Sequence, residues 1–524
     1  MQHGDTPTPI DRFAGILAQL WSRTAPVRDR VRARFEVDTR SLAAVRIALA
    51  LTLLFDLVHR AGHIELFYTD AGAYPLRAFE LTYTQYNGLS IHALSGDLWF
   101  QQALFACAGL FAIAFLVGYR TRLVGAVSFL LMVSLHARNP AVLNGGDRLF
   151  LVLFFVALVA PLGERWSIDA RRRGTARATV VSFGTVALLV QPLVVFSANA
   201  IKKHAGDTWY AGEALQIAMA NDTMTIFLGN VIADYPTLLT ALNYGWVTLL
   251  SGSVLFLLVP VGRIRMLAAF AYIGAFLGMA TAMTVGLFPL VLTASIIPYL
   301  PAVFWDTAAR YVPARWTDRL PSATALGPLD RPPVEHRLTA ALRARGYDDA
   351  VSYAFAYGRS LLTVFGFMVV VWILVFGAAD VAEADVPDQI DHDHLDQQSW
   401  GLYAPNPSSS YSWYIPEAEL ANGSSIDARD GGAVTFDRPP DASDEYDTFR
   451  HRKFLQAVRD AEQGSIAQGY ADWMCRQAAD HTGATVERVT VYRMIQDSPV
   501  NGEFDSEPSR RTVIEYDCST QTVV

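Results

Sequence analysis

The 524-residue sequence is 52% hydrophobic and 18% charged, and its mean hydropathy of +0.24 indicates a membrane-embedded chain rather than two large soluble domains. Its net charge of -8 arises because an acidic C-terminal third outweighs an arginine-rich remainder, so the charge predicts neither a nucleic-acid partner nor an acidic substrate. Subtracting the 3 lysines, Lys202, Lys203 and Lys453, from 42 basic residues leaves 39 arginines, which makes each lysine a candidate for proton chemistry that arginine cannot perform.

Long apolar runs recur along the chain, and a run of about 20 residues suffices for a helix to cross the ~30 Å hydrocarbon layer. Residues 1–40 precede the first run and are rich in arginine, which predicts a basic interfacial segment on the cytoplasmic surface. The runs that predict about nine transmembrane helices are 41–59, 98–118, 122–138, 147–163, 178–200, 241–261, 265–283, 286–304 and 356–379.

The distribution of arginine between these runs predicts their orientation, because short cytoplasmic loops retain positive charge. With the N-terminus inside, the arginine-dense loops YRTR (119–122), GERWSIDARRRGTAR (163–177) and GRIR (262–265) all fall on the cytoplasmic side. The long linker 305–355 falls there too. An odd number of spans then places the C-terminus outside the cytoplasm.

These features predict an all-α polytopic membrane bundle, with a membrane domain at 41–304, a proline- and arginine-rich cytoplasmic linker at 305–355 and a last transmembrane helix at 356–379. Residues 380–524 are predicted to form an extracytoplasmic α+β domain. In it EYDTFRHRKFLQAVRDAEQ and SIAQGYADWMCRQAADH have helical periodicity, whereas VERVTVYRMI and RRTVIEYDC alternate like paired strands. Cys475 and Cys518 lie in this region and are able to pair if it is exported.

Polar residues from distant segments converge at the outer boundary of the predicted bundle. Lys202 and Lys203 end the fifth span there, and the turn HARNPAVLNGGD joins the third and fourth spans on the same side. The topology therefore predicts a pocket lined by Lys203, Asn144, Asp147 and His136.

Several segments in chain order resemble the HTTM family, whose membrane domain is shared with vitamin K-dependent gamma-carboxylase. They are RIALALTLLFDLVHR with LFYTDAGAYP, RNPAVLNGGDRLFLVLFFVALVAPLGERWSID, AIKKHAGDTWYAGEAL and QQSWGLYAPNP. The resemblance extends from residue 41 to about residue 415. A shared fold does not by itself fix the function.

The resemblance implies that Lys203 is the base that deprotonates a reduced vitamin K- or menaquinone-type quinone, with Trp209 and Gly212 as a supporting Trp-x-x-Gly motif. Quinone and oxygen would then drive carboxylation of glutamate in an exported peptide at the cell membrane. Lys202 is expected to assist, because an adjacent ammonium and an apolar boundary both favour a neutral amine.

The sequence departs from the carboxylase pattern at one place. Asn144-Gly145-Gly146-Asp147 stands where the carboxylase has Asn-His, so the quinone contacts expected of Asn144 and His136 and the catalytic role expected of Asp147 are open. A structural interpretation stands beside each role: Asp147 caps the fourth span with Asn144, and His136 packs inside the bundle.

Other polar residues are interpreted as structural. Lysines at a helix end usually extend to the lipid headgroups, while Asp56 and Arg60, four residues apart on one helix, are expected to form an ion pair. The acidic run DHDH (391–394) is interpreted as solvated rather than metal-binding, and no metal is predicted. In GLYAPNP, Trp400, Tyr403 and Pro405 are expected to fix the approach of the exported domain to the membrane core.

Two functions from different classes follow. The first is a membrane enzyme of the gamma-carboxylase type, a lyase that couples quinone epoxidation to modification of a peptide. The alternative is a non-enzymatic membrane partner in the maturation or export of a secreted peptide, of the kind found in the sporulation-delaying toxin system. Dispensable lysines and a copurifying peptide would favour the second.

Overall fold

The computed structural model describes residues 25–221, 224–259, 262–311, 334–382, 384, 401–439, 446, 448–461, 463–498 and 506–523. Within these ranges the helices are α1 (Ala25–Arg34), α2 (Thr39–Ala61), α3 (Ile64–Tyr68), α4 (Leu76–Thr82), α5 (Leu98–Leu116), α6 (Thr121–Arg138), α7 (Gly145–Val159), α8 (Ile168–Arg173), α9 (Phe183–His204), α10 (Asp207–Ala211), α11 (Ala214–Met219), α12 (Leu228–Ile232), α13 (Pro236–Ser251), α14 (Ser253–Leu257), α15 (Arg263–Ala282), α16 (Phe288–Ile296), α17 (Ala302–Tyr311), α18 (Val334–Ala344), α19 (Asp348–Ala382), α20 (Phe449–Asp460) and α21 (Ser465–Thr482). Short 3-10 turns cover Thr84–Tyr86, Ile91–Leu94, Pro140–Val142 and Ile297–Tyr299. The strands are β1 (Val37–Asp38), β2 (Thr179–Val180), β3 (Ser410–Leu420), β4 (Ser425–Asp427), β5 (Val486–Asp497), β6 (Ser509–Asp517) and β7 (Thr522–Val523).

Five of the described helices are long and apolar enough to cross a membrane: α2, α5, α9, α15 and α19. A sixth candidate is the bent unit Phe288–Tyr299 with Ala302–Tyr311, whose two parts meet at 104°. These helices are consistent with a membrane protein whose membrane part is mostly helical, whereas the predicted count of nine spans is not confirmed.

The remaining predicted spans deviate for identifiable reasons. Helix α7 has 15 residues, fewer than the roughly 17 that a span needs, and α6 has 18 residues but ends on Arg138. The run predicted at 241–261 is divided at Gly252 into α13 and α14. These helices still belong to the bundle, because they pack against the longer ones: α6 lies against α5 and α7, and α13 lies against α9.

The long helices pack around a common apolar core. Helix α2 contacts α5, and α9 contacts both α7 and α19. Arg46, near the beginning of α2, is fully buried and donates to the carbonyls of Leu116, Leu162 and Trp166. The bundle thus has two ends. One end lies near Arg46, and at the other end helices α2, α6 and α9 finish and helix α7 begins.

The C-terminal region forms a five-stranded antiparallel sheet with strand order β4-β3-β5-β6-β7. Helix α21 packs against the sheet, and a disulfide joins Cys475 on α21 to Cys518 just after β6. Helix α20 lies over the opposite end of the bundle, where Phe454 packs against Phe67 with ring centroids 5.5 Å apart. We refer to this end as the domain-facing end.

Both predicted helices and both predicted strands of the C-terminal region are present as α20, α21, β5 and β6. The interior strand β3 (SYSWYIPEAEL) was not predicted, and it pairs with β5 over Ser410–Leu420. The predictions for DHDH (391–394), for Trp400, for most of 1–40 and for 312–333 of the linker concern residues outside the described ranges.

Candidate functional site

Lys203 lies in the last turn of α9 and is 2% exposed. Its Nζ donates to the carbonyl oxygens of Leu402 at 2.7 Å and Tyr403 at 3.2 Å, and it lies 3.5 Å from the centroid of the Trp209 ring. Within the described part of the chain, no carboxylate forms an ion pair with Lys203. The amine is thus held by two main-chain carbonyls and an aromatic face.

The sequence around α9 explains this placement. Ser182 and Thr185 form a capping box that begins the helix, and the N–H groups of Ala205 and Gly206 turn back to its last carbonyls. The chain then enters α10, whose C-cap Gly212 has a positive φ of 80° that a residue with a side chain rarely adopts. Gly212 therefore ends the turn that holds Trp209 near Lys203.

We call residues 401–406 the strap, because they cross the corner between α9 and α10. Trp209 Nε1 donates to Tyr403 O at 2.9 Å, and Thr208 donates through both its N–H and its hydroxyl to Asn406 Oδ1. The approach is close at Gly206, where a Cβ would lie 1.9 Å from Pro405 O. The expectation that this motif fixes the approach of the C-terminal region is consistent with these contacts.

Lys202 takes a different direction from Lys203. Its Nζ forms an ion pair of 2.5 Å with Asp380 near the end of α19. The two adjacent lysines thus have separate environments, and the charge of Lys202 is balanced by a carboxylate. The expectation that the Lys202 ammonium favours a neutral amine at Lys203 stays a prediction, with Asp380 now placed beside that ammonium.

Four buried charged side chains meet at the domain-facing end, and we call Asp56, Arg60, Asp147 and Arg450 the ionic cluster. Arg60 binds Asp56 at 2.8 Å and Asp147 at 2.9 Å. Arg450, from the C-terminal region, binds Asp56 at 2.5 Å and Asp147 at 2.8 Å. The predicted pair of Asp56 and Arg60 is confirmed, and it is one side of a cluster with two carboxylates and two guanidiniums.

Asn144 and Asp147 form a reciprocal cap at the beginning of α7. Asn144 Oδ1 accepts from the N–H groups of Gly146 and Asp147, and Asp147 Oδ2 accepts from the N–H of Asn144 at 2.8 Å. The amide nitrogen of Asn144 also donates to Val285 O at 3.0 Å. The capping interpretation of these two residues is confirmed, and the Asp147 carboxylate serves the cap and the ionic cluster together.

His136 lies beside this cluster without joining it by a hydrogen bond. Its Nε2 is buried without a hydrogen-bond partner and is 3.9 Å from Asp147 Oδ1, which exceeds hydrogen-bonding distance. Asp56, His136 and Asp147 have the spacing of a three-ligand metal group, with ligand atoms within 4.8 Å of one another. Arg60 and Arg450 already neutralise both carboxylates, so the donor set does not fit a divalent cation.

The predicted site residues therefore form two polar centres. Lys203 and Trp209 belong to the first with the strap, and Asn144, Asp147 and His136 belong to the second. An apolar cluster contacts both centres, because Tyr403 of the strap packs against it and its member Val285 accepts a hydrogen bond from Asn144 through its carbonyl. Its buried members are Ala218, Met219, Leu239, Ala282, Met283 and Val285.

Three contributions to these centres were not predicted from the sequence: the side chain of Arg450 and the main-chain carbonyls of Leu402 and Tyr403. Arg450 is one of several cations in FRHRK. The sequence does not show which of them lies on the face of α20 that contacts the bundle. Leu402 and Tyr403 contribute main-chain carbonyls, which leave no signal in residue type. The GLYAPNP motif indicated a contact between this segment and the membrane core, but it did not indicate hydrogen bonds to Lys203.

Comparison with known proteins gives one match. Searches of curated proteins and of solved structures each found no similar protein. The HTTM domain profile matches residues 35–303, which include α2 through α16 and therefore Lys203, Asn144, Asp147 and most of the ionic cluster. The matched region covers half of the sequence, and we conclude that the chain belongs to the HTTM domain family.

Proposed function

We propose that this chain is a membrane enzyme of the gamma-carboxylase type, with Lys203 as its base. The observation that carries the proposal is the environment of Lys203: a buried amine, held by two carbonyls and not by a carboxylate. The membership of the HTTM domain family supports it, because that name implies a relation to gamma-carboxylase. A lysine that served only as a lipid anchor would extend to the headgroups.

The contacts of Lys203 Nζ suit an amine that gains and loses a proton. A neutral amine has two N–H groups, which match the carbonyls of Leu402 and Tyr403, and one lone pair that is left to accept a proton. After protonation the third N–H has the face of Trp209 beside it, since a cation is attracted to an indole ring at this distance. The lone pair of the neutral amine faces the same ring, so proton transfer from a substrate requires the Trp209 ring or the amine to shift.

A reduced lipid quinone is the cofactor that we propose. The apolar cluster that contacts the two centres, with Met219, Met283 and Val285 among its buried members, would supply the apolar contacts for a quinone ring once these side chains move apart. Trp209, whose ring centroid lies 3.5 Å from Nζ, would orient such a ring beside the amine. When bound, the reduced quinone with oxygen supplies the driving force for carboxylating a glutamate side chain.

We propose an exported peptide as the second substrate and an extracytoplasmic position for the C-terminal region. The Cys475–Cys518 disulfide supports this position, because disulfides persist outside the cytoplasm. The C-terminal region also covers the end of the bundle where Lys203 lies, through the strap and through Arg450. A peptide held there would be close to the proposed base.

The proposal is tested with purified full-length protein in lipid nanodiscs, supplied with reduced naphthoquinones, oxygen and bicarbonate. Quinone epoxide is followed by mass spectrometry, with empty nanodiscs as the control for spontaneous oxidation. We expect epoxide to form with at least one of several quinones. Absence of protein-dependent epoxide with all of them would refute the enzymatic proposal.

One observation favours the alternative, a non-enzymatic partner in the maturation of an exported peptide. The carboxylates of Asp56 and Asp147 are neutralised within the chain, and Asn144 is used by its cap, so these residues have structural roles that need no substrate. Under this alternative a peptide copurifies with the protein, and substitution of Lys203 leaves peptide maturation intact.

A further inference from the structure

The site of Lys203 is built by two parts of the chain that are far apart in sequence. Lys203, Thr208 and Trp209 belong to the matched HTTM region, and all their partners in the strap lie about 100 residues beyond its end at residue 303. Five hydrogen bonds join the two parts.

The strap supplies the only oxygen atoms that bond Lys203 Nζ in the described part of the chain. The matched region contributes the ring of Trp209, which restricts the amine from one face. Without the strap, the amine would therefore lose both of its acceptors, and only the Trp209 ring would restrict its position.

Asn406 anchors the strap at its far end. Its Oδ1 accepts from Thr208 N at 3.2 Å and from Thr208 Oγ1 at 2.7 Å, and it lies next to Gly206. Gly206 permits this approach, because any Cβ there would lie 1.9 Å from Pro405 O and 2.6 Å from Asn406 Oδ1. A single methyl group at residue 206 must therefore displace the strap.

We propose that the strap positions the amine of Lys203, and that Asn406 is a positioning residue for it. The inference rests on the proposed function in one respect, namely that the positioned amine is the base. Asn406 acts through the strap: it fixes the carbonyls of Leu402 and Tyr403, and these fix Nζ. The HTTM region alone would then hold an incomplete site.

The chain offers a direct readout, because it has only three lysines. Reductive methylation of the full-length protein in nanodiscs, with peptide mass spectrometry, reports the reactivity of Lys203 relative to Lys202 and Lys453 in the same sample. We expect Lys203 to be the slowest of the three in the wild type, since it is 2% exposed.

Gly206→Ala is the first variant, and Gly274→Ala is its matched control, because a Cβ at residue 274 meets nothing within 4 Å. We expect Gly206→Ala to accelerate methylation of Lys203 by at least about tenfold, the factor that loss of one or two hydrogen bonds produces, with no change in Gly274→Ala. Equal rates in Gly206→Ala and the wild type would overturn the proposal.

Asn406 variants provide a second test that does not depend on steric displacement. Asn406→Ala removes the acceptor for Thr208 and should accelerate methylation, whereas Asn406→Asp keeps an accepting oxygen and should restore the slow rate. Fast methylation in both variants would contradict the assigned role of the oxygen. Methylation does not require catalytic turnover. If the wild-type protein forms no quinone epoxide, the proposed role of Lys203 as base is refuted, but these methylation rates still decide whether the strap positions Lys203.

Discussion

Arg450→Met removes one of the two guanidiniums from the ionic cluster while keeping a long apolar side chain. The cluster then holds two buried carboxylates and only Arg60. Four hydrogen bonds are lost, to Val142 O, to both oxygens of Asp147 and to Asp56. Asp56 and Asp147 are about 1% and 0% exposed, so water does not replace the lost donors. Removing one partner of a buried ion pair costs about 3–5 kcal/mol of stability, and we expect Arg450→Met to lower the free energy of unfolding by that amount.

Arg459→Met is the matched control, because Arg459 lies on the same helix and pairs with Asp460 at the surface. A pair of this kind contributes about 0–1 kcal/mol. Both variants are compared with the wild type by denaturant unfolding in mixed micelles, and limited proteolysis reports whether the C-terminal region detaches. The double variant Arg450→Met/Asp56→Asn should recover part of the loss, since it restores charge balance.

A loss in Arg450→Met no larger than that in Arg459→Met would refute the reasoning. It would mean that the carboxylates of Asp56 and Asp147 are not buried against Arg450 in solution. The stability changes of Arg450→Met and Asp56→Asn should not add up in the double variant, because residues that share hydrogen bonds should be coupled by at least about 0.5 kcal/mol. Additive changes would contradict the contact between Arg450 and Asp56.

Two further predictions concern the C-terminal region and the loop before α5. Denatured, unreduced protein should expose one thiol, that of Cys107, and reduction should expose three; reduction should also destabilise the C-terminal region by about 4 kcal/mol, because the Cys475–Cys518 bond closes a loop with a sequence separation of 43. Three reactive thiols before reduction would exclude this bond. Burial lowers the pKa of His92 to about 4, so the unfolded chain binds more protons between about pH 6.5 and pH 4, and stability falls as pH drops through this window. The stability advantage of the wild type over His92→Asn, measured as the difference in Tm, should narrow from pH 7 to pH 4.5, and a constant difference would contradict a buried neutral imidazole.

The sequence predicts the helical membrane part well where apolar runs are uninterrupted. The predicted runs at 41–59 and 98–118 correspond to α2 and α5 within a few residues. The prediction is weaker where a local residue changes the chain direction, as at Gly252 between α13 and α14 or at the 104° bend after Tyr299. Hydropathy averages over such points, because it measures composition and not backbone direction.

The failure to predict strand β3 has a different cause. Pro416 lies inside SYSWYIPEAEL, and a proline within an apolar run argues against a central strand. The structure accommodates it, because Pro416 needs no N–H there: it pairs with Val491 in register, and its carbonyl accepts from Ala428 N. Tertiary pairing thus allows a residue that local propensity disfavours.

Several side chains of the candidate site were predictable, but their arrangement was not. Lys203 and Trp209 are close together in sequence and also in space, and a motif was enough to connect them. The two centres were predicted as one pocket, because topology places Asn144 and Lys203 at the same end of the bundle but does not give the distance between them. Arg450 enters from α20, a helix for which no contact with the bundle was predicted.

The central claim is that the amine of Lys203 is the base, and the adjacent lysines test it most directly. Lys203→Met and Lys202→Met remove the same chemical group from neighbouring residues, one held by the strap and one paired with Asp380. We predict that protein-dependent formation of quinone epoxide falls by at least about 100-fold in Lys203→Met, the range of a lost general base, and stays within a few-fold of the wild type in Lys202→Met. Undiminished epoxide formation in a folded Lys203→Met variant would contradict the account.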